Sequence, residues 1–328
     1  MTDNNRTISA TESSRLKKRS LIVDLLRRLV KEKPLGMVGG VIVLILLVTG
    51  IFADLLAPYG MNEIHLVDRL SEPSAQYILG TDHLGRDLLS NIIYGARVSV
   101  IIGLSCAAIS TIAGTVIGSF SGLIGGKFDM VAQRFVDAWM SIPQLLILLI
   151  IMSLVGQGVI QIILVLGISG GITGSRVMRS AVIGIKENTY VDAGRVIGCS
   201  TPRLILRHIT PNIMGAILID FTLRVGGVIM MEASLSFLGF GVPPGVPSWG
   251  SMLSAEGRQY MEISPALALW PGLALSSVVY GINMLGDAFR DLLDPRLRGG
   301  IGRYSGSKLE KVKKLMEKGN QKDKSTTS

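Results

Sequence analysis

Hydrophobic residues are gathered into long runs that are almost free of charge, and polar segments separate these runs. A run of about 20 apolar residues is long enough to cross the hydrocarbon core of a bilayer as a helix. Such runs cover residues 35–57, 98–124, 212–236 and 265–285, and two more lie within 131–175. The pattern predicts an all-α integral membrane protein with six membrane-spanning helices.

The third and fourth spans are expected to form a hairpin. Residues 138–175 carry no charged side chain, which makes the stretch too long for one span. The Gly-Gln-Gly sequence at 156–158 supplies the outer turn. Pro143 is expected to kink the third span, and Arg176 and Arg179 are expected to close the fourth span on the inner side.

Basic residues are distributed unevenly between the polar segments. The 328-residue chain has a net charge of +9, although only 17% of its residues are charged. Lysine and arginine number nine in residues 1–35, six in 176–207 and eleven in 288–328, against two in 58–96 and one in 235–264. Because cytoplasmic loops of membrane proteins are rich in these residues, the asymmetry predicts that both termini are cytoplasmic.

These signals divide the chain into successive segments. The N-terminal tail contains an amphipathic, basic helix over residues 20–33 that ends at Pro34 and either lies in the membrane interface or packs on the protein itself. The predicted segments are an N-terminal cytoplasmic tail (1–34), the first span (35–57), an extracytoplasmic segment (58–96), a core of five membrane helices (97–288) and a C-terminal cytoplasmic tail (289–328).

Composition also argues against several classes of protein. Few aromatic residues lie among the basic ones, which disfavours nucleic-acid binding. Cys106 lies in an apolar span and Cys199 in a polar loop, so neither a disulfide nor a metal site is expected. The first apolar run follows more than thirty polar and basic residues, a pattern that is not typical of a cleavable signal peptide.

One polar stretch, residues 190–212, lies between two apolar regions and predicts two short helices joined by a turn. Gly198 can adopt the left-handed conformation that ends the first helix. Ser200 or Thr201 can cap the second, with Pro202 at its first position. The second helix is amphipathic, with a basic side and an apolar side formed by Arg203, Arg207, His208, Leu204, Ile205 and Ile209. Such a compact basic element is suited to docking on another protein.

This stretch resembles the coupling loop of type I ABC importer permeases, whose motif reads Glu-Ala-Ala, three residues, Gly, nine residues, Ile-x-Leu-Pro. Departures from the motif are Asp192 for Glu, Gly194 for Ala, and His208 and Thr210 at the Ile and Leu positions. The resemblance implies that residues 181–211 contact a partner ATPase. The residues assigned to this contact are Asp192, Ala193, Gly194, Gly198, Arg203, Arg207, His208 and Pro211.

A second motif lies in the outer segment at residues 78–87, Ile-Leu-Gly-Thr-Asp-His-Leu-Gly-Arg-Asp. It resembles the Leu-Gly-Thr-Asp-x-x-Gly-Arg-Asp signature of the dipeptide/oligopeptide/nickel subfamily of these permeases. Asp82, Arg86 and Asp87 are expected to form a charge-paired turn that caps the entrance, and a catalytic or metal site that also includes His83 is the alternative. The motif residues are Gly80, Thr81, Asp82, Gly85, Arg86 and Asp87.

Two later stretches are also similar to signatures of this subfamily. Residues 235–250 contain three prolines and four glycines and are expected to lack regular secondary structure. They either meet an extracytoplasmic binding protein or gate the mouth, or they form a rigid cap. Residues 283–297 resemble the terminal motif through Gly286, Asp287, Arg290, Asp291, Asp294, Pro295 and Arg296. Asp287, Arg290 and Asp291 are expected to form local ion pairs.

The fifth span contains the only cluster of charges within a span, Asp220, Arg224 and Glu232. Asp220 and Arg224 are four residues apart and can pair on one face of the helix. Charges inside a membrane usually face a polar cavity or a partner. The cluster therefore lies either on the translocation path or in a structural pairing at a subunit interface.

Together the motifs imply a permease subunit of an ATP-driven importer in the prokaryotic plasma membrane, similar to the C-type subunit of dipeptide permeases. Implied partners are a second homologous permease, two ATPase subunits that hold ATP and Mg, an extracytoplasmic solute-binding protein and the lipid bilayer. The chain lacks a nucleotide-binding motif, so it is not expected to be an enzyme or to bind a cofactor or metal.

Peptides are the expected substrates, and nickel or other metal chelates and glutathione are alternatives within the family. A self-contained secondary transporter or channel is the alternative from another class. An intramembrane enzyme is disfavoured because all three histidines, His65, His83 and His208, lie outside the predicted spans.

Overall fold

The computed structural model describes residues 29–293, which fold into helices and turns; within this range an isolated β-bridge joins Thr81 to Asp87. The helices are α1 (Pro34–Ile51), α2 (Ala53–Leu56), α3 (Leu88–Ile124), α4 (Gly126–Met140), α5 (Gln144–Val155), α6 (Val159–Ile183), α7 (Thr189–Val196), α8 (Thr201–Leu204), α9 (Met214–Phe237), α10 (Trp249–Met252), α11 (Ala255–Tyr260) and α12 (Ala266–Leu293). The predicted all-α class is confirmed for the described residues.

Five helices, α1, α3, α6, α9 and α12, are long and apolar enough to cross a membrane, and the bent pair α4–α5 raises the number to six. We call the end of the bundle that carries residues 58–87 the outer end and the end that carries residues 184–212 the inner end, following the predicted orientation. The first span is shorter than predicted because α1 ends at Ile51 and a break at Phe52 precedes α2.

The longest helix, α3, begins earlier than predicted. It has 37 residues, about 56 Å at 1.5 Å per residue. The predicted second span, 98–124, covers only its apolar part, and the helix begins at Leu88, inside the predicted outer segment 58–96. Asp87 explains the early start, because its carboxylate accepts a hydrogen bond from the Ser90 backbone amide at 2.8 Å and caps the helix.

The third predicted span is broken rather than kinked. Helices α4 and α5 meet at 86°, and Pro143 lies immediately before α5. Ion pairs from Arg179 to Asp129 and from Arg176 to Asp137 hold α4 against α6.

The helix of the fourth span continues beyond the two arginines. Helix α6 extends to Ile183, so Arg176 and Arg179 lie within it. Both side chains have carboxylate partners on α4, which explains how the helix carries charge through this region.

The bundle is built from paired helices. Helix α3 packs along α6, α1 packs along α12, and α9 contacts both α3 and α12. Close approach of α3 and α6 requires a small residue at Gly118, where a Cβ atom would overlap the backbone of α6. Buried Ile102, Leu148, Ile162 and Leu235 form the main core between α3, α5, α6 and α9.

The connection between α9 and α12 closes the outer end. Residues 238–248 are irregular, as their proline and glycine content predicts. The prediction of irregular structure over 235–250 is wrong at both ends, because α9 extends to Phe237, and Ser248 and Ser251 form a capping box that starts α10. The Trp249 indole N–H then donates to a backbone carbonyl of α3 at 3.1 Å and ties α10 to the bundle.

The inner end joins the beginning of α1 to the end of α12. Lys33 pairs with Asp291, so the predicted local pairing of Asp291 with its neighbours in the terminal motif is corrected. The reason is that α1 and α12 run side by side, which brings the ammonium group across to α12. Predictions for residues 20–28, 307–318, Asp294, Pro295 and Arg296 lie outside the described residues.

Candidate functional site

The predicted coupling segment forms a projection at the inner end, which we call the inner knob (residues 189–212). It contains α7, a turn, α8 and a π-helical turn at Ile205–Ile209. The predicted helix–turn–helix is confirmed, and Gly198 has the expected left-handed conformation with φ +80°. Two details differ, because Ser200 precedes α8 without a side-chain capping bond and Pro202 is its second residue.

One side of the inner knob is anchored in the membrane bundle. The apolar side predicted for its second helix is confirmed, since Leu204, Ile205 and Ile209 are all buried. They belong to a cluster that joins the knob to the ends of α3 and α6 and to the start of α9: Leu123, Val182, Val191, Leu204, Ile205, Ile209 and Ile213. Because packed side chains transmit displacement, moving the knob must shift these helix ends.

The π-helical turn was not predicted from the sequence. The Thr210 backbone amide donates to the Ile205 carbonyl at 2.8 Å, a hydrogen bond across five residues. The wider turn leaves Ile205 and Ile209 both facing the cluster. Such turns within helices are frequent at functional sites, but hydrophobic periodicity gives no signal for them.

The opposite side of the inner knob exposes large apolar side chains. The exposed fractions of Val196, Ile197 and Leu206 are 87%, 77% and 71%. Arg203 and Arg207 are also exposed. We call these five residues the knob face. Contiguous exposed apolar residues beside charged ones are typical of a surface that binds another protein.

The residues of the coupling motif are divided between this exposed side and the anchored side. Gly194 is buried, and a Cβ atom at this position would lie 2.7 Å from a methyl group of Leu204. His208 is half-buried beside it. Asp192 pairs with Arg195 at 3.0 Å on the surface. The exposed members are Asp192, Ala193, Gly198, Arg203, Arg207 and Pro211.

Within α9, the structure confirms the predicted pair of Asp220 and Arg224. The guanidinium donates to the carboxylate at 2.5 and 3.1 Å and also to the Gly170 carbonyl of α6 at 2.9 Å. The guanidinium lies directly over Gly174, where any Cβ atom would overlap it. The pair therefore bridges two membrane helices.

Glu232 is separate from that pair, as its spacing of eight residues from Arg224 along one helix implies. It lies eight residues beyond Arg224, roughly 12 Å along α9. Its side chain is buried and accepts a hydrogen bond from the Ser236 hydroxyl at 2.7 Å. The Ser236 hydroxyl in turn accepts from the Val242 backbone amide at 3.3 Å. Glu232 therefore holds the loop after α9 against the end of that helix.

The outer motif at 78–87 forms the predicted turn, with one difference in its pairing. Asp82 accepts from the Arg86 Nε at 2.6 Å and from the backbone amides of Leu84 and Arg86. Asp87 pairs with neither, because its carboxylate caps α3 through Ser90. The charge-paired turn is confirmed for Asp82 and Arg86.

Glycines shape this turn, and a threonine fixes it to the rest of the outer segment. Gly80 and Gly85 have φ values of +83° and +77°, a conformation that favours glycine. Thr81 is buried and its hydroxyl accepts from the Ser71 backbone amide at 2.9 Å. It also donates to the Asp68 carbonyl.

Two side chains of the outer segment have shifted pKa values because of their local contacts. Burial and the neighbouring Asp68 carboxylate, which accepts from the phenol at 3.0 Å, raise the pKa of Tyr77. The backbone amide of Gly60 and the imidazole of His65 lower the pKa of the Glu63 carboxyl. These shifts follow from local hydrogen bonds, burial and nearby charges, and none involves the motif residues at 78–87.

Two subfamily motifs that are far apart in sequence meet at the outer end. The turn at 78–87 and the loop at 235–250 line one cavity of about 410 Å³, together with residues from 62–64 and Gln157. The Gln157 amide donates to the Gly239 carbonyl at 2.6 Å and joins the hairpin turn to this loop. Sequence analysis identified both motifs without indicating that they share a cavity.

An ion pair between α2 and α3 was not predicted. Arg97 of α3 donates to both carboxylate oxygens of Asp54, at 3.0 and 2.8 Å, and to the Gly50 carbonyl at 3.1 Å. The sequence signal was present, since each is an isolated charge beside an apolar run. Their separation of 43 residues prevented the pairing from being predicted.

Within residues 29–293, no group of three or more His, Cys, Asp or Glu side chains is placed to hold a metal ion. His83 stacks on Tyr260 with ring centroids 5.6 Å apart. Asp82 and Asp87 have the separate partners described above. The geometry at the outer motif is that of a structural turn beside a cavity.

Comparison with known proteins places this geometry in a family. Residues 114–299 match the family described as "Binding-protein-dependent transport system inner membrane component". Residues 20–73 match "N-terminal TM domain of oligopeptide transport permease C".

Three curated relatives are similar over most of their length. The oligopeptide transport system permease protein OppC of Bacillus subtilis (strain 168) is 36% identical over 292 residues, covering 88% of this chain and 95% of that protein. The dipeptide transport system permease protein DppC of Alkalihalophilus pseudofirmus is 35% identical, covering 82% and 88%. The glutathione transport system permease protein GsiD of Escherichia coli (strain UTI89 / UPEC) is 35% identical, covering 82% and 89%.

The helical bundle, the knob at its inner end and these matches agree with one another. The chain therefore belongs to the family of binding-protein-dependent transport system inner membrane components.

Proposed function

We propose that this chain is one permease subunit of an ATP-driven importer of short peptides, and that the inner knob receives the movement of a partner ATPase. The observation that carries the proposal is the two-sided construction of the knob. Its buried side packs against the ends of α3, α6 and α9, and its other side presents the knob face to solvent. Family membership supports this reading.

The composition of the knob face indicates the chemistry of its partner. Val196, Ile197 and Leu206 require an apolar groove, because their burial on docking would stabilise the contact by about 25 cal/mol per Å² of apolar surface. Arg203 and Arg207 require acidic groups at the rim of that groove. The partner surface is therefore an apolar groove with an acidic rim on an ATPase subunit.

The mechanism is alternating access. Closure of two ATPase subunits around ATP and Mg displaces the knob, and the buried cluster carries that displacement into α3, α6 and α9. The resulting tilt opens the cavity between this chain and a second permease to the outer side, where a binding protein delivers substrate. Hydrolysis reverses the movement.

Peptides are the proposed substrates because relatives are named for oligopeptide and dipeptide transport. Glutathione, itself a small peptide, is an alternative substrate because one relative is named for its transport. A nickel or other metal chelate is a further alternative substrate. A self-contained secondary transporter or channel, which needs no ATPase, is the alternative from another class of protein.

The test changes the knob face without disturbing its anchor. Leu206→Glu replaces one of the exposed apolar side chains of the knob face with a carboxylate, which would have to be desolvated on docking and would face an acidic rim. The matched control is Val67→Glu, because Val67 is a 97% exposed apolar residue at the outer end. We expect Leu206→Glu to reduce co-purification of the ATPase subunits and ATP-driven peptide uptake at least tenfold, which corresponds to about 1.4 kcal/mol.

Val67→Glu should leave co-purification of the ATPase subunits and peptide uptake close to those of the unmodified protein. The proposal fails if Leu206→Glu retains full assembly and uptake, or if both variants lose them equally. A melting temperature measured on each purified complex distinguishes loss of docking from loss of folding.

A further inference from the structure

Helix α12 is long and apolar enough to cross a membrane, yet it exposes a row of polar side chains. Ser276, Tyr280, Asn283 and Asp287 are all exposed. Their spacings of three or four residues place them on one face of the helix. We call these four residues the polar stripe. It occupies the part of α12 nearer the inner end.

The exposed residues of α1 and α3 are of a different kind, because in both helices every exposed residue is apolar. They include Val41, Leu44, Ile45, Ile101, Leu104, Ile112 and Val116. Such side chains are suited to lipid. A hydroxyl, an amide or a carboxylate that faced hydrocarbon would lose its hydrogen bonds to water without gaining others. The polar stripe is therefore not a lipid-facing surface.

Towards the outer end, the same face of α12 becomes apolar. It exposes Leu269 and Leu273 there, with exposed fractions of 54% and 52%. These leucines precede Ser276 by seven and three residues, so they continue its face. A face that is apolar near the outer end and polar near the inner end is suited to a path that is closed outside and open to water inside.

Helix α9 borders the polar stripe. A Cβ atom at Gly226 would lie 3.0 Å from the Asn283 Oδ1, so α9 and α12 approach closely at this point. The next residue, Gly227, is exposed, and a Cβ atom there would meet nothing within 4 Å. Because the inner knob packs against the start of α9, movement of the knob reaches the helix beside the stripe.

We propose that the polar stripe lines the inner, water-filled part of the translocation path and that the peptide passes along it. The inference rests on the proposed import of peptides and adds to it named residues of the path in this chain. Hydroxyl and amide side chains both donate and accept, so they exchange hydrogen bonds with water and with the peptide groups of any sequence. Such a lining favours passage of many peptides over tight binding of one.

The test compares how fast a charged thiol reagent modifies single cysteines in the complete transporter in lipid nanodiscs. The variants are Tyr280→Cys and Asn283→Cys in the stripe, and Leu44→Cys on α1 as the control. Leu44 is matched to Tyr280, because their exposed fractions in this single chain are 60% and 65%. The probe is a trimethylammonium-ethyl methanethiosulfonate, and mass spectrometry measures the modification at each position.

We expect positions 280 and 283 to be modified at least about tenfold faster than position 44, because the thiolate and the cationic reagent are both unstable in hydrocarbon. Thermal unfolding of each complex establishes that the compared variants are folded. Modification at 280 and 283 as slow as at 44 would overturn the inference, since the stripe would then face lipid or be covered by the second permease.

Uptake measurements connect the stripe with the passage of peptide. ATP-driven uptake of alanylalanine is measured for each variant before and after modification, so that each variant is its own reference. The attached cation narrows the path, and we expect uptake to fall after modification of Asn283→Cys and to stay unchanged after modification of Leu44→Cys. Undiminished uptake after complete modification at 283 would place the stripe outside the path and overturn the inference.

Failure of this inference is distinguishable from failure of the proposed function. ATP-driven uptake by the transporter without substitutions, together with slow modification at 280 and 283, contradicts the inference alone. Absence of ATP-driven dipeptide uptake by the transporter without substitutions contradicts the proposed function itself, whatever the rates of modification.

Discussion

At the scale of single residues, the pair of Asp220 and Arg224 shows how charge is carried inside a membrane helix. Each partner is more than four-fifths buried at its side chain, with exposed fractions of 10% and 18%. The additional bond from Arg224 to the Gly170 carbonyl fixes α9 against α6. Removing one partner leaves a buried charge, which typically costs about 3 kcal/mol or more.

This arrangement predicts the outcome of a double-substitution experiment. Arg224→Gln alone should lower the stability of the purified transporter by about 3 kcal/mol, because Asp220 is left unpaired. Adding Asp220→Asn should restore most of that stability. The measurement is the melting temperature of each complex together with its ATP-driven peptide uptake.

The uptake of the double variant separates the two roles considered for the pair. Recovery of both stability and uptake indicates a structural tie between α6 and α9. Recovered stability without uptake indicates a residue on the translocation path. A single variant as stable as the unmodified protein would contradict the assigned ion pair.

Sequence reasoning was most successful with residues that interact along one helix. The pairing of Asp220 with Arg224 follows from their spacing of four, and the Asp82–Arg86 pair has the same separation. The bond from Arg224 to Gly170 and the pairing of Asp54 with Arg97 depend on which helices are neighbours. No local pattern contains that information.

At the scale of elements, the inner knob depends on the conformation of one glycine. Gly198 has φ +80°, and a Cβ atom there would meet nothing within 4 Å. The space would admit any side chain, so the constraint is the backbone conformation alone. A left-handed conformation costs an ordinary residue roughly 1–2 kcal/mol.

Two substitutions of similar size separate conformation from bulk. Gly198→Val is strongly disfavoured at positive φ, whereas asparagine tolerates this region. We expect Gly198→Val to lower the number of peptides imported per ATP hydrolysed by several-fold while the complex remains assembled. Gly198→Asn should stay close to the unmodified ratio. Equal coupling ratios for both variants and the unmodified protein would show that the turn geometry has no role in coupling.

Element boundaries were harder to predict than element existence. Helix α3 starts at Leu88 because the Asp87 carboxylate caps it by accepting from the Ser90 amide. An aspartate at this position is a usual N-cap signal in a sequence, but the start of the span was predicted from hydropathy instead. A kink was expected at Pro143, but α4 and α5 meet at 86°, and two ion pairs join α4 to α6, which lies far from it in sequence. Such contacts between distant segments help to set where helices end and bend, and local sequence preferences do not include them.

At the scale of the whole molecule, the family and the presence of several membrane-spanning helices follow from the sequence. What each exposed side of the bundle contacts does not. Phe128, Val131, Phe135 and Leu154 are exposed on α4 and α5 in this single chain. Lipid tails are as apolar as these side chains, so hydrophobicity alone does not distinguish a face that meets lipid from one that meets a second permease. The sequence therefore cannot separate the two surfaces.

The central claim is that this subunit imports peptides only when partner ATPases act on it. The most direct measurement is uptake of a labelled dipeptide into proteoliposomes that contain this chain, its sister permease, both ATPase subunits and the binding protein. We predict accumulation that requires ATP and ceases when the ATPase subunits are omitted. Equal uptake by the purified chain alone, driven by an ion gradient without ATP, would contradict the account.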